Sequence, residues 1–387
     1  MVSTILTPRQ IVIGGGAIKQ TAGVLQALGL SKPLVVSDPL MVKLGKVEEL
    51  TSILDAAGLS HGLFSDTVPD PTDTVIEIGV DAIKAGDYDC MVALGGGSPM
   101  DTAKAMSVLH RGGGKMRDYK VPHQVNEVGL PVVCIPTTAG TGSEVTRFTV
   151  ITDTETDEKM LITGLGCLPA AAIVDHELTF TVPFRTTADT GIDSLTHAME
   201  AYVSRKANLY SDSFARSAME RIYANIRKAC REPDNAEARE QMMLGALEGG
   251  MAFSNSSVAL VHGMSRPIGA FFHVPHGLSN AMLLPAVTAF SAPAALKRYA
   301  DCARFMGLVD ESVGDQLAVN HLLDALGSLN EELEVPTPAD YGIDAERYAE
   351  VIPTMAKQAL ASGSPGNNPK VPDEEEIAAI YREVYAG

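Results

Sequence analysis

Cys90-Met-Val-Ala-Leu94 runs into Gly95-Gly-Gly-Ser98 and then into Pro99-Met-Asp101. An apolar run without alternation reads as a strand buried on both faces. Pro99 suits the first turn of a helix, where the N–H that proline lacks has no intrahelical partner. Strand, glycine turn and helix make half of a βαβ unit, and such units recur from Ile11 to about Val174. Pro33-Leu-Val-Val-Ser37 reads as another buried strand, and Val47 to Ala57 and Thr72 to Ala85 read as helices stopped by Gly58 and Gly86. Pro131-Val-Val-Cys-Ile135 supplies a further strand and enters a Gly/Thr/Ser-rich loop from Pro136 to Ser143. The expectation is an α/β domain with a mostly parallel sheet.

Beyond Pro183 the strand signals nearly vanish, and helical periods such as Ser211 to Ala229 and Glu237 to Met251 take over. Asp373 and Glu376 form a capping box before the apolar stripe Ile377, Ile380, Tyr381 and Val384, which reads as core packing. A chain of 387 residues exceeds one ordinary core. The expected division is an α/β dinucleotide-binding domain over 1–182 and an all-helical domain over 183–387, with the break between Thr181 and Arg185.

Charge argues against a nucleic-acid partner: 30 basic residues face 48 acidic ones, a net of -18, with no basic stripe. The five cysteines are scattered and odd in number, which fits reduced thiols and a cytoplasmic location better than a disulfide framework. Met1-Val2-Ser3-Thr4 lacks a secretory pattern, and no run of about 18 apolar residues is present to span a bilayer.

Backbone N–H groups approach phosphate most closely at glycine, and a following helix start adds partial positive charge. Gly95 to Ser98 offers both, although such a turn can also be a plain tight connection. Asp101 falls in the first helical turn, where it could cap the helix or orient the loop. Asp38 directly follows a strand, where a carboxylate can accept hydrogen bonds from ribose hydroxyls and would repel a 2′-phosphate, favouring NAD over NADP. It can equally cap the element that Pro39 begins. Gly14-Gly15-Gly16 lies about 22 residues before Asp38, near the Rossmann spacing, but lacks the G-x-G-x-x-G form. Thr137, Thr138, Thr141 and Ser143 could bind ribose or phosphate oxygens, or satisfy their own turn.

Asp193-Ser-Leu-Thr-His197 sits in a helical stretch, where a spacing of four puts carboxylate and imidazole on one face. Such a pair is often only a surface contact. Two further imidazoles, His262 and His276, each precede a glycine, whose missing side chain would leave room for a cofactor or ion. One oxygen and three nitrogens suit Fe(II), Zn or another divalent ion. Such an ion beside a nicotinamide would lower the pKa of a bound alcohol, so that alkoxide can release hydride. No Gly-x-Ser-x-Gly elbow or paired cysteine motif offers a nucleophile instead.

With these motifs the chain resembles the group III, iron-dependent alcohol dehydrogenases, a class that includes lactaldehyde (1,2-propanediol) reductase and 1,3-propanediol dehydrogenase. The resemblance rests on Gly95 to Asp101, Pro136 to Glu144, Gly191 to Tyr202, and Val261-His-Gly-Met264 through Pro275-His-Gly277, and it covers nearly the whole chain. It implies a dinucleotide-binding α/β domain joined to a helical metal domain, with the reaction in the cleft between them and homodimers or larger assemblies as the working form. It carries Asp193, His197, His262 and His276 over as metal ligands, and Gly96, Gly97, Ser98, Thr137, Thr138, Thr141 and Lys159 as cofactor contacts, with Asp38 as the NAD-selecting carboxylate. The expected substrates are small alcohols, diols or aldehydes.

One position departs. Many relatives carry a histidine four residues after the third metal ligand, where this chain has Arg266. Arg266 either receives an anionic group of the substrate through its bidentate fork or pairs with an acidic neighbour. His273, three residues before His276, is a candidate for proton relay in place of that histidine. Other classes share parts of the pattern: a metal-dependent hydrolase, a lyase of the dehydroquinate synthase type, or a non-catalytic dinucleotide-binding protein.

Overall fold

The computed structural model describes residues 2–386. Its strands are β1 (Gln10–Ile13), β2 (Pro33–Val36), β3 (Gly62–Phe64), β4 (Cys90–Gly95), β5 (Val132–Pro136), β6 (Phe148–Asp153), β7 (Glu158–Thr163) and β8 (Ala171–Val174). Six of them form one sheet in the order β1-β8-β5-β4-β2-β3, and every pairing is parallel. Residues of β2, β4 and β5 alternate between two cores, as the pleat requires. Leu34, Val36, Met91, Ala93, Val132 and Cys134 face one apolar cluster, while Val35, Val92, Leu94, Val133 and Ile135 face the other. Helices on both faces explain why these strands read as continuous apolar runs.

The helices of this region are α1 (Thr21–Ala27), α2 (Pro39–Lys43), α3 (Lys46–Ala56), α4 (Asp73–Gly86) and α5 (Gly97–Gly112). Thr72 caps α4 by accepting from the Val75 amide, which starts the helix where the sequence signals it. Strands β6 and β7 pair as an antiparallel hairpin that the reading of alternating units does not contain. Its turn, Thr154-Glu-Thr-Asp157, lacks the Asn-Gly signature of a tight hairpin.

Residues Thr4–Thr181 form one compact unit, and the chain from Val182 onward belongs to another. The second unit contains α6 (Phe184–Val203), α7 (Leu209–Arg231), α8 (Ala236–Ser254), α9 (Leu260–Phe272), α10 (His276–Ser291), α11 (Leu296–Phe305), α12 (Asp315–Glu332), α13 (Ala345–Ala361) and α14 (Glu374–Ala386). Helix α6 is buried along nearly all of its length and packs against α7, α8 and α10. At the last element, Glu376 N donates to Asp373 and Asp373 N to Glu376, a capping box as expected. No helix among the described residues is long and apolar enough to cross a membrane.

Candidate functional site

Helix α6 presents Asp193 and His197 on one face, with side chains only 3% and 6% exposed. Helix α9 supplies His262, and His276 is the first residue of α10. Asp193 Oδ1 lies 3.4 Å from His262 Nε2, 3.8 Å from His197 Nε2 and 3.9 Å from His276 Nε2. One ligand atom from each of Asp193, His262 and His276 lies within 4.8 Å of the others. His197 stands beside them, its ring stacked between His262 and Phe253 at 4.5 and 4.2 Å. The side chain of His276 keeps 41% of its surface open, which leaves the cluster accessible from one side.

The glycines after the two histidines serve packing, which corrects the sequence reading that they leave room for a ligand. A Cβ on Gly277 would lie 2.5 Å from the carbonyl oxygen of Asp189, and one on Gly263 would lie 2.8 Å from Pro365 Cδ. Glycine at 277 therefore lets the start of α10 press against the backbone of α6, bringing His276 to Asp193.

Charge within the cluster is lopsided. Burial opposes ionisation of Asp193, but the imidazoles of His197, His276 and His262 outweigh it and hold the carboxyl well below its usual range. Burial likewise opposes charge on His262, yet hydrogen bonds to Asp193 and Glu200 push its pKa up to about 9. A buried carboxylate that gathers positive charge in this way is suited to a cation.

Two residues of the cluster escaped the sequence reading. Glu200 Oε2 lies 2.7 Å from His262 Nδ1, and the Glu200 carboxylate also accepts from the amides of Ala259 at 2.9 Å and Val261 at 2.6 Å. It thereby fixes the His262 ring with Nε2 toward Asp193. Its spacing of seven from Asp193, on the same stripe of α6, was the available signal. Asn280, one turn after His276, donates from Nδ2 to Asp193 Oδ1 at 2.6 Å and lies 3.2 and 3.3 Å from the Nε2 atoms of His262 and His276. Its fully buried Oδ1 has no hydrogen-bond partner among the described residues. The converging imidazole nitrogens and the buried Asp193 carboxylate form a donor set that matches a divalent ion.

Arg266 follows His262 by one turn of α9, is partly buried, and has no ion pair or hydrogen bond among the described residues. Burial lowers its pKa, and Glu200 opposes that shift. His273 is exposed at the C-cap of α9 in a left-handed conformation, φ 54°.

In the first unit, the register pairs Gly95 with Pro136 and Val36 with Ala93, so three loops leave the carboxyl ends of β2, β4 and β5 side by side. This is where open parallel sheets bind ligands. Gly96 caps α5 without any side-chain hydrogen bond. A Cβ on Gly97 would lie 3.0 Å from Thr141 Cγ2, one on Gly96 would lie 3.7 Å from Thr138 Oγ1, and one on Gly95 would lie 3.3 Å from Asp38 Oδ2. Ser98 is the second residue of α5, and the Thr137 amide donates to the Gly95 carbonyl at 2.9 Å. Asp38 also caps α2, accepting from the Met41 amide at 2.9 Å. The capping reading of Asp38 therefore holds, and the same carboxylate stands beside the Gly95 turn.

Asp101 and Ser143 turn inward. Ser143 Oγ donates to Asp101 Oδ1 at 2.8 Å, and the Val150 amide donates to Asp101 Oδ2 at 2.9 Å. The fully buried Lys104, which the sequence reading passed over, donates to the Ser143 carbonyl and hydroxyl at 2.5 and 2.7 Å and to the Thr146 carbonyl at 3.1 Å. Lys159, on β7, pairs with Asp70 at 2.8 Å. The alternative glycine loop is already filled: Gly16 N and Ile18 N donate to Asp175, and a Cβ on Gly15 would lie 2.7 Å from Glu177 Oε1.

Comparison with known proteins covers nearly the whole chain. Residues 8–176 match the family described as iron-containing alcohol dehydrogenase, and residues 187–385 match the C-terminal part of the Fe-containing alcohol dehydrogenase family. The chain is 36% identical to NAD-dependent methanol dehydrogenase of Bacillus methanolicus, over 97% of this chain and 98% of that one. It is 35% identical to lactaldehyde reductase of Escherichia coli (strain K12), over 95% and 96%. A solved structure of 1,3-propanediol oxidoreductase superposes with a TM-score of 0.95 at 34% identity, covering 100% of both chains.

Proposed function

This chain belongs to the iron-containing alcohol dehydrogenase family, and on that footing we propose how its residues carry an NAD-dependent interconversion of small alcohols and aldehydes. Asp193, His197, His262 and His276 hold a divalent ion, Fe(II) or Zn. The observation that carries this reading is the approach of three Nε2 atoms to within 3.4, 3.8 and 3.9 Å of Asp193 Oδ1. When bound, the ion would supply Lewis acidity toward the substrate oxygen, and a nicotinamide would supply the hydride donor or acceptor. The protein's part is orientation and proton handling.

Glu200 keeps the His262 lone pair aimed inward, and Asn280 restrains Asp193 by donating to its Oδ1. Gly96, Gly97 and Ser98 offer backbone N–H groups at the start of α5 to the pyrophosphate, while Thr137, Thr138, Thr141 and Lys159 contact other cofactor oxygens. Asp38 accepts from the ribose hydroxyls, and Asp101 and Ser143 hold the two loops in place through Lys104. His273, exposed three residues before His276, passes the alcohol proton to solvent. Nucleotide binding falls to 1–182 and ion binding to 183–387. We place the protein in the cytoplasm as a homo-oligomer, supported by its five free, buried thiols and by the family resemblance.

The test is an alcohol and aldehyde panel run with NAD(H) and NADP(H), on protein stripped by chelation and reloaded with iron, zinc or nothing. NADH formation from a primary alcohol or diol should vanish on stripping and return with the ion, and Asp193→Ala should abolish it. Full activity in stripped protein would overturn the assignment of the ion.

A further inference from the structure

Buried and half-buried arginines of the helical unit find partners within the protein. Arg239 donates to the Pro233 carbonyl, Thr187 Oγ1 and the Val182 carbonyl. Arg304 reaches Asp301, Asp315 and the Val313 carbonyl. Arg298 reaches Asp212 and the Tyr202 carbonyl. Arg266 breaks the pattern, because it is partly buried and makes no hydrogen bond or ion pair among the described residues.

Its acidic surroundings are already committed. Glu200, the carboxylate whose charge acts on Arg266, spends its oxygens on His262 Nδ1 and the amides of Ala259 and Val261. Asp193 is engaged by Asn280 and faced by three imidazoles. The sequence left two readings of Arg266 open, and among the described residues no acidic neighbour forms an ion pair with it. A half-buried guanidinium with no hydrogen bond or ion pair to the described residues keeps its planar fork of donors free for an anion from outside the protein. Position matters as much as charge. A spacing of four on one helix puts Arg266 on the face of α9 that carries His262 toward the ion ligands.

We propose that Arg266 is the specificity-determining residue of the site and that the substrate is an aldehyde or alcohol bearing a carboxylate or sulfonate at the end remote from the reacting carbon. The guanidinium fork receives that anion in a bidentate pair. The reaction itself is unchanged: hydride passes from NADH to the carbonyl carbon, a proton goes to the oxygen, and the anionic group leaves as it arrived. This inference rests on the proposed dehydrogenase function. The same fork could instead take a cofactor phosphate, so the test separates the two sources.

The ion-loaded enzyme is assayed with NADH on succinate semialdehyde and on butanal, which have equal chain length and differ in the terminal carboxylate. Wild-type protein should favour the acid at least tenfold in kcat/KM. Arg266→Ala should lower the ratio of the two kcat/KM values about 100-fold, and Arg266→Lys should restore part of it. Succinate, as an unreactive probe, should bind the wild-type NADH complex in calorimetry and not the alanine variant. Equal use of both aldehydes by wild type overturns the proposal, as does a variant whose only change is a higher KM for NADH. If neither aldehyde is reduced, the dehydrogenase reading fails by itself. Calorimetry then decides the anion site: succinate binding lost in Arg266→Ala supports it, and binding that is absent or unaltered overturns it.

Discussion

Glu200 Oε2 stands 2.7 Å from Nδ1 of His262, while Nε2 on the far side of the same ring faces Asp193 Oδ1 at 3.4 Å. The carboxylate therefore fixes which nitrogen is protonated and which is free to ligate. Glu200→Gln, which removes the charge but keeps the shape, should weaken Fe(II) or Zn binding by about 10- to 100-fold. Competition with a fluorescent chelator measures this directly. Affinity equal to wild type would leave Glu200 with a purely architectural role at the start of α9.

Asp38 combines a helix cap with the charge proposed to exclude a 2′-phosphate. Asparagine caps about as well as aspartate, so Asp38→Asn separates the two roles. The expected result is a rise of tenfold or more in the kcat/KM ratio of NADPH to NADH, with little change in Tm. A ratio that stays put while the protein remains folded would remove Asp38 from cofactor selection.

Lys104 neutralises a knot of buried oxygens. Burial raises the pKa of Asp101, and Lys104 acts in the opposite direction. Lys104→Met would leave that carboxylate without its cation and the Ser143 and Thr146 carbonyls short of a donor. A loss of about 3 to 5 kcal/mol in urea unfolding is expected, together with weaker NADH binding by fluorescence. Unaltered stability would mean that the knot contributes little.

Glu144 is buried beside the same knot, and burial lifts its pKa from 4.5 to about 7, with Lys104 pulling the other way. Because the folded form holds its proton more tightly than the unfolded chain, its contribution favours folding below about pH 4.5 and is lost as pH rises through about 7. The difference amounts to about 3 kcal/mol above that window. Glu144→Gln should therefore raise Tm relative to wild type at pH 8 and change it little at pH 4.5. A gain of the same size at both values would assign the effect to packing.

His273 occupies a left-handed C-cap that asparagine also tolerates, so His273→Asn tests the imidazole without straining the turn. As a proton relay it should cost at least tenfold in kcat, with partial rescue by added imidazole. A pH–rate profile superimposable on that of wild type would end the assignment.

Local features were legible in the chain itself. The buried strands, the Gly95–Ser98 turn, the helix starts and the Asp193/His197 pair all depend on spacing over a few residues, and spacing fixes which side chains share a face. What the sequence by itself determined was therefore the class of fold, the chemistry of the donor set and the loops worth watching. The tertiary structure decided the rest, because each remaining question turned on what a distant element brings. Asp175 fills the Gly14–Gly16 loop, Lys104 draws Asp101 and Ser143 inward, and α9 carries His262 to Glu200. Arg266 is the same lesson in reverse, since only the packed neighbours show that none of the described residues forms an ion pair with it.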